Sequence, residues 1–264
     1  MTKSLIPAQR REWIQEYLAI HKIVSSADLY ELLGVSEATV RRDLEYLENE
    51  GVLERTHGGA ILSQRVQLEP AYNQRALDYP EEKLQIGAVA AGMVENGDII
   101  FVNSGTTSSQ LIHHIRGGAG ITVVTNNLSA ALENNHQEIE LILLGGTFQP
   151  QSNSVAGRFA IENLGQVYAD KVFIGVDGIS PKYGCTVPSN AEAEVIRVMI
   201  ERTKGPIVVI CDHSKWGIVS NFQIASMDQI DMLVTDDGLS EMAREEMAER
   251  GVDVLIAKQS ALKI

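Results

Sequence analysis

At 264 residues the chain is long for one folding unit and comfortable for two, and its 44% hydrophobic content can fill cores of that size. No apolar run approaches the roughly 20 residues of a membrane helix, and Arg10, Arg11 and Glu12 interrupt any signal-peptide layout at the N-terminus. A net charge of -13 excludes a bulk positive field, so a nucleic-acid partner must be gripped by a local basic patch.

Charge does not separate the two halves. Residues 1–62 hold seven Lys/Arg against ten Asp/Glu, and the remainder is acidic too. The two cysteines, Cys185 and Cys211, form no CxxC pair. Cys211 closes the apolar run from Ile207, which reads as a buried strand, so it is read as a small core hydrophobe. The reading is of a cytoplasmic protein with reduced thiols.

Ala8 to Ala19 reads as a first helix, with Trp13, Ile14, Tyr17 and Leu18 on one face. Ser25 and Asp28 have capping-box-like spacing and start a second helix that carries Leu29, Leu32 and Leu33 and stops at Gly34. Ser36 caps a third, Glu37 to Glu50. Helix, Gly-containing turn and capped helix make a helix-turn-helix. In the third helix Val40, Leu44 and Leu47 must point inward. Ser36, Thr39, Arg41 and Arg42 then gather on the N-terminal half of the exposed side, the half that enters the major groove in this motif. Arginine there can hold guanine bidentately or grip phosphate. An Arg-Arg pair on a helix is otherwise an ordinary solvated pair; its position behind a cap and ahead of a wing favours DNA contact. Residues 52–61 form that wing, two β-prone stretches around Gly58-Gly59, with Arg55 and His57 near its tip.

Ser63 to Pro80 reads as a linker with one short helix around Tyr72 to Leu77. Beyond it, helices and strands alternate. Helix 84–94 precedes strand 98–103, and helix 108–115 precedes strand 121–125. Helix 128–134, strand 140–144, helix 159–165 and strand 171–176 follow. Helix 191–202, strands 207–211 and 232–235, helix 240–250 and strand 252–257 complete the chain. This alternation implies an α/β domain with a mostly parallel sheet covered on both faces. The expected division is 1–62, a linker 63–80, and 81–264.

Ligands in such sheets sit beyond the carboxyl ends of the strands. Five of those ends here are polar: Asn103-Ser104-Gly105-Thr106-Thr107, Thr125-Asn126-Asn127, Gly145-Gly146-Thr147, Asp177-Gly178 and Asp212-His213-Ser214-Lys215. The first leads into a helix, whose free N–H groups suit an anion. Lys215 adds charge for phosphate, and Asp177 and Asn126 suit hydroxyls. Each end alone can be a simple turn or a surface lysine; together they predict a pocket for a hydroxylated, phosphorylated ligand. No metal set is evident, since adjacent His113 and His114 cannot share one helix face, and no GxxxxGK[ST] nucleotide loop occurs. No cofactor is expected.

The string VSSADLYELLGVSEATVRRDLEYLENEGVLERTHGGA resembles the DNA-binding domain of the DeoR-type bacterial sugar-metabolism regulators, whose hallmark is VSxxTxRRDLxxLExxGxxxRxHGGA. EEKLQIG, GDIIFVNSGTTSSQL, TVVTNNLSAA, LILLGGT, ADKVFIGVDGI, EAEVIRVMI and CDHSKWG resemble the sensor domain of the same family, so the resemblance covers roughly residues 7–257. It implies DNA contact by Ser36, Thr39, Arg41, Arg42 and the wing, with Asp43 holding an arginine in place. It implies a sensor fold similar to sugar-phosphate isomerases and CoA transferases, with Ser104 to Thr107 as the phosphate loop and Lys215 as a ligand contact. Glu192 and Lys171 match family positions without a clear role.

The function so expected is a repressor of a sugar or polyol catabolic operon. It binds double-stranded operator DNA as a homodimer or homotetramer and is released by a phosphorylated sugar or polyol. The alternative is a sugar-phosphate isomerase or transferase with a DNA-binding appendage. Ribose-phosphate isomerases continue Asp-Gly with Ala-Asp-Glu, whereas here Asp177-Gly178 continues with Ile179-Ser180, so the general-base candidates are gone. A pure scaffold leaves the polar strand ends unexplained.

Overall fold

The structure is a computed structural model; it describes residues 5–258 apart from 22, 57, 63, 66–69, 117–119 and 134–138. The chain opens with α1 (Pro7–His21), β1 (Ile23–Ser25), α2 (Ser26–Leu33), α3 (Glu37–Asn49), β2 (Leu53–Arg55) and β3 (Gly59–Leu62). The Ser25 hydroxyl accepts the Asp28 N–H at 2.9 Å and starts α2. Gly34 ends it in the left-handed region, φ 62°, with its N–H on the Tyr30 carbonyl. Val40, Leu44 and Leu47 of α3 are buried against Ile14, Leu18, Leu29 and Leu53, as the periodicity requires. The three short strands pair antiparallel in the order β1-β3-β2. This is a winged helix-turn-helix.

Asp43 is the buried exception on α3. Its carboxylate accepts from Arg10 Nε at 2.7 Å and lies 3.7 Å from Arg11 Nε. The arginines it holds belong to α1. That pair fastens the first helix to the third.

The connection carries β4 (Gln64–Arg65) and α4 (Tyr72–Leu77). The second domain then runs α5 (Pro80–Ala91), β5 (Ile99–Val102), α6 (Thr106–His114), β6 (Thr122–Thr125), α7 (Leu128–Glu133), β7 (Glu140–Leu143), β8 (Thr147–Gln149), β9 (Ser154–Ala156), α8 (Arg158–Leu164), β10 (Lys171–Gly175), β11 (Gly178–Ser180), β12 (Gly184–Val187), α9 (Asn190–Glu201), β13 (Ile207–Ile210), β14 (Ile218–Val219), β15 (Phe222–Ala225), β16 (Met232–Asp236), α10 (Glu241–Glu249) and β17 (Asp253–Ala257). Seven strands form one all-parallel sheet in the order β17-β16-β13-β10-β5-β6-β7. Apolar clusters cover both its faces, Phe101, Ile174 and Met199 among one set and Ile86, Leu111 and Phe173 among the other.

The strand order reverses between β5 and β10. From β5 the chain winds outward through β6 and β7, then returns to β10 and winds the other way. This is the topological switch point, where ligands bind in open α/β sheets.

Two features depart from the pattern reading. Pro80 begins α5 rather than ending the linker, so this helix starts four residues earlier than the apolar periodicity indicates. A further antiparallel sheet, β11-β12-β15, interrupts the alternation. Its strands are three or four residues long and β11 and β12 are buried throughout, so they show no period-two pattern.

The two domains touch at this inserted sheet, at β14 and at α10. Ser180 at the end of β11 donates to the wing carboxylate Glu54 at 2.5 Å. β14 pairs in parallel with β4, and Thr56 of the wing lies 3.8 Å from the Met242 sulfur of α10.

Candidate functional site

On the first domain, Arg41 and Arg42 are exposed and project from the face of α3 opposite its buried stripe. Ser36 is exposed at the helix start but makes no side-chain cap; its Oγ lies 2.9 Å from Thr39 Oγ1 instead. Ser36 is thus exposed and Thr39 half-buried at the start of the helix that carries the two exposed arginines. Arg55 differs from its expected place near an open wing tip. It is half-buried, its Nε is enclosed without a hydrogen-bond partner among the described residues, and its backbone N–H faces Glu48 Oε1 at 3.4 Å. His57 lies outside the described residues.

On the second domain, a cavity sits at the switch point. Ser104, Gly105, Thr106, Thr107, Asp177 and Lys215 line it, together with Arg75, Lys83, Ser152 and Glu192. The loop after β5 is fixed from beneath. Asn103 Oδ1 accepts the Gly175 N–H at 2.7 Å while its Nδ2 donates to the Gly175 carbonyl at 2.9 Å, locking the two strands that flank the switch point. Gly105 has φ 148° and ψ 159°, a conformation open to glycine alone. As N-cap of α6 it has no side chain to occupy the first N–H groups, which leaves that helix end open to an anion.

The strand ends of the cavity are therefore those after β5, β10 and β13. The ends after β6 and β7 do not line it. Thr125 is fully buried and donates to the Val102 carbonyl at 2.6 Å. Asn126 is also fully buried; its Oδ1 accepts the Ser104 N–H at 2.8 Å and its Nδ2 donates to the Val155 carbonyl. These two residues brace the phosphate-loop candidate rather than face a ligand. Gly145 and Gly146 turn the chain toward β8, and a side chain at Gly146 would meet the Ala156 carbonyl oxygen at 2.7 Å.

Among the charged lining residues, Arg75, Lys83 and Glu192 were not among the expected ligand contacts. Arg75 comes from the connecting helix α4, and its Nη1 donates to Asp177 Oδ1 at 3.0 Å. Lys83 is almost wholly buried in the first turn of α5 and donates to the carbonyls of Arg75 and Asp78, each at 2.5 Å. Burial pushes its pKa down, with Asp212 and Asp78 pulling it back up and Lys215 and Arg75 adding to the depression. Glu192 accepts from Ser154 Oγ at 3.1 Å, and burial pushes its carboxyl up despite the hydroxyls of Ser152 and Ser154. The Lys215 side chain makes no hydrogen bond or ion pair among the described residues, while its backbone N–H donates to the Asp212 carbonyl at 3.1 Å. Lys171 pairs with Asp98 at 2.7 Å at the opposite end of the sheet and belongs to the scaffold. Among the described residues no cluster of metal ligands occurs, and no helix is long and apolar enough to cross a membrane.

Three cations thus converge on an open helix N-terminus, beside carboxyls from Asp177 and Glu192. The arrangement suits an anion that carries hydroxyl groups.

A model of the DeoR-like helix-turn-helix domain matches residues 10–66, and a model of the DeoR C terminal sensor domain matches residues 78–237. The chain belongs to the DeoR family. It is 33% identical to the HTH-type transcriptional regulator GlpR of Haloferax volcanii, over 95% of this chain and 98% of that one. It is 34% identical to the HTH-type transcriptional repressor GlcR of Bacillus subtilis, over 93% and 95%. Among solved structures it is similar to ribose 5-phosphate isomerase A of Methanocaldococcus jannaschii, with TM-score 0.38 and 16% identity over 52% of this chain and 54% of that one. Membership of the DeoR family makes the chain a DNA-binding transcriptional regulator and not an enzyme.

Proposed function

We propose that this DeoR-family regulator represses a sugar or polyol catabolic operon and leaves its operator when a phosphorylated sugar or polyol fills the switch-point cavity. The observation that carries the reading is the cavity itself: an uncapped α6 N-terminus flanked by Arg75, Lys83 and Lys215. An anion there gains from helix dipole and cation together. Asp177 and Glu192 supply acceptors for hydroxyls, which a bare anion leaves unused. We further propose a reader 1–62 and a sensor that begins with α5 at Pro80, joined by the connection 63–79. In the reader, Ser36, Thr39, Arg41, Arg42, Arg55 and His57 contact DNA.

Two copies would place two recognition helices on paired half-sites, so the active form is a homodimer or homotetramer acting in the cytoplasm. Ligand can release the operator only if it binds the two domain arrangements with different affinity.

A thermal-shift panel of phosphorylated sugars and polyols beside their unphosphorylated parents tests the reading. Stabilisation by a phosphorylated member, lost in Lys215→Ala, is the expected result. That member must also lower operator retention in a gel shift. Stabilisation by unphosphorylated parents alone, or a shift unchanged by Lys215→Ala, overturns the pocket assignment.

A further inference from the structure

We propose that Arg75 is the residue the ligand trades: an incoming phosphate takes the Arg75 guanidinium from Asp177, and the ligand's hydroxyls take over the vacated carboxylate. The inference rests on the proposed anion site and goes further, to how that site distinguishes ligands and reaches the connector.

The geometry sets up a competition. Arg75 and Asp177 both line the cavity, their side chains are 12% and 19% exposed, and they meet at 3.0 Å. A guanidinium offers a rigid fork that phosphate oxygens match bidentately, and a phosphate monoester at neutral pH carries more charge than one carboxylate. The trade is therefore favourable for Arg75. For Asp177 it is not, because a half-buried carboxylate loses its cation. Inorganic phosphate offers that carboxylate only its own acidic proton. A phosphorylated polyol offers hydroxyl donors at a distance from the phosphate. The pair thus acts as a selectivity filter for ligands bearing both groups.

The position of Arg75 gives the trade a consequence. It lies on α4, within the connection between the domains. Other contacts also hold α4: the Tyr72 N–H donates to the Gln151 carbonyl at 2.9 Å, the Tyr72 hydroxyl lies 2.7 Å from Ser109 Oγ on α6, and Lys83 Nζ donates to the Arg75 carbonyl. The Arg75–Asp177 contact is the one of these that pairs two oppositely charged side chains of the cavity lining. Drawing the Arg75 guanidinium toward the α6 N-terminus would act on the helix of the connection that joins the sensor to the DNA-binding domain. Asp177 lies three residues before Ser180, which holds the wing through Glu54, so the other partner of the pair also leads to the reader.

The test is a double-mutant cycle on the full chain, titrated calorimetrically with inorganic phosphate. Asp177→Asn should tighten phosphate at least fivefold, since Arg75 then gives up no carboxylate partner at Asp177 to reach the anion. Arg75→Gln should weaken it at least fivefold. The decisive arm is the double variant, in which the gain from Asp177→Asn should disappear. If Asp177→Asn helps equally in both backgrounds, it acts by plain charge removal and the exchange is wrong. No gain from Asp177→Asn in the native background also overturns it. Should Arg75→Gln fail to fold by far-UV circular dichroism, Arg75→Lys keeps the charge and loses the fork. It should then weaken phosphate by at least twofold and shrink the Asp177→Asn gain in proportion. Absence of phosphate binding in the native protein and in Asp177→Asn alike defeats the anion pocket and the exchange together. Binding that Lys215→Ala removes, with Arg75 and Asp177 acting additively, defeats the exchange alone.

Discussion

Ser180 Oγ donates to Glu54 Oε2 at 2.5 Å, and both residues are buried, one in the sensor and the other in the wing. This bond ties the DNA-reading unit to a strand that begins at the ligand cavity. A hydrogen bond to a buried charged acceptor contributes about 1.5–3 kcal/mol, and its loss leaves that acceptor under-satisfied. Ser180→Ala is therefore expected to lower the urea midpoint of the domain that unfolds first. It should also weaken the coupling between sugar-phosphate and operator binding, while each ligand binds separately. An unchanged midpoint with undiminished coupling would show that the two domains communicate elsewhere.

The Arg10–Asp43 pair bears on the reader alone. Its side chains are 10% and 6% exposed, so removal of one partner strands a charge in the interior. Asp43→Ala should cost about 3 kcal/mol, the low end for a broken buried pair, because Arg10 retains the Leu5 carbonyl as an acceptor. The expected phenotype is loss of operator binding through local unfolding of α1 against α3. Thermal stabilisation by the effector should persist, since the sensor core is separate. Retained operator binding at 37 °C would place the anchor of α1 in its apolar face instead.

Much of this architecture was legible because period and capping agree. The Val40, Leu44, Leu47 stripe with the Gly34 turn and Ser25 cap identifies the helix-turn-helix. The β-α alternation identifies the parallel sheet and hence the strand-end cavity. Arg75 and Lys83 were illegible for a physical reason. Both approach the cavity from outside the sheet, and α4 has six residues with no buried face to create a period. Thr125 and Asn126 misled in the opposite direction. A polar pair at a strand end has the same sequence signature whether it faces ligand or, as here, satisfies buried backbone groups below it. Ser180 could be read only as a replacement for a missing acid; its partner Glu54 lies 126 residues away.

Arg42 is exposed and unpaired among the described residues, so its removal should cost the fold less than about 0.5 kcal/mol. Operator affinity should fall roughly 5- to 150-fold if it reads a base edge, the range for one bidentate contact. If it grips phosphate, affinity falls evenly on specific and random DNA and the salt slope flattens by about one unit. Fluorescence anisotropy on both DNAs at two salt concentrations separates the cases. Unchanged affinity in all four conditions would remove Arg42 from the recognition surface.

Glu192 predicts a pH dependence. Burial raises its folded-state pKa above the ordinary 4.5, against the pull of the Ser152 and Ser154 hydroxyls. Between the ordinary and the raised value the folded chain therefore holds more proton than the unfolded chain. Stability contributed by the protonated carboxyl is present below the unfolded pKa and is lost as pH rises through the folded one. Glu192→Gln keeps the acceptor oxygen that faces Ser154 and cannot ionise. The variant should melt higher than the native chain above that window and equally below it, so the two melting curves converge on acidification. Effector binding separates this from a purely structural role. A ligand that donates a hydroxyl to the ionised carboxyl should narrow the difference between variant and native protein at neutral pH, whereas one that does not touch Glu192 should stabilise both equally. Parallel curves from acid to neutral pH would show that Glu192 stays ionised in its pocket.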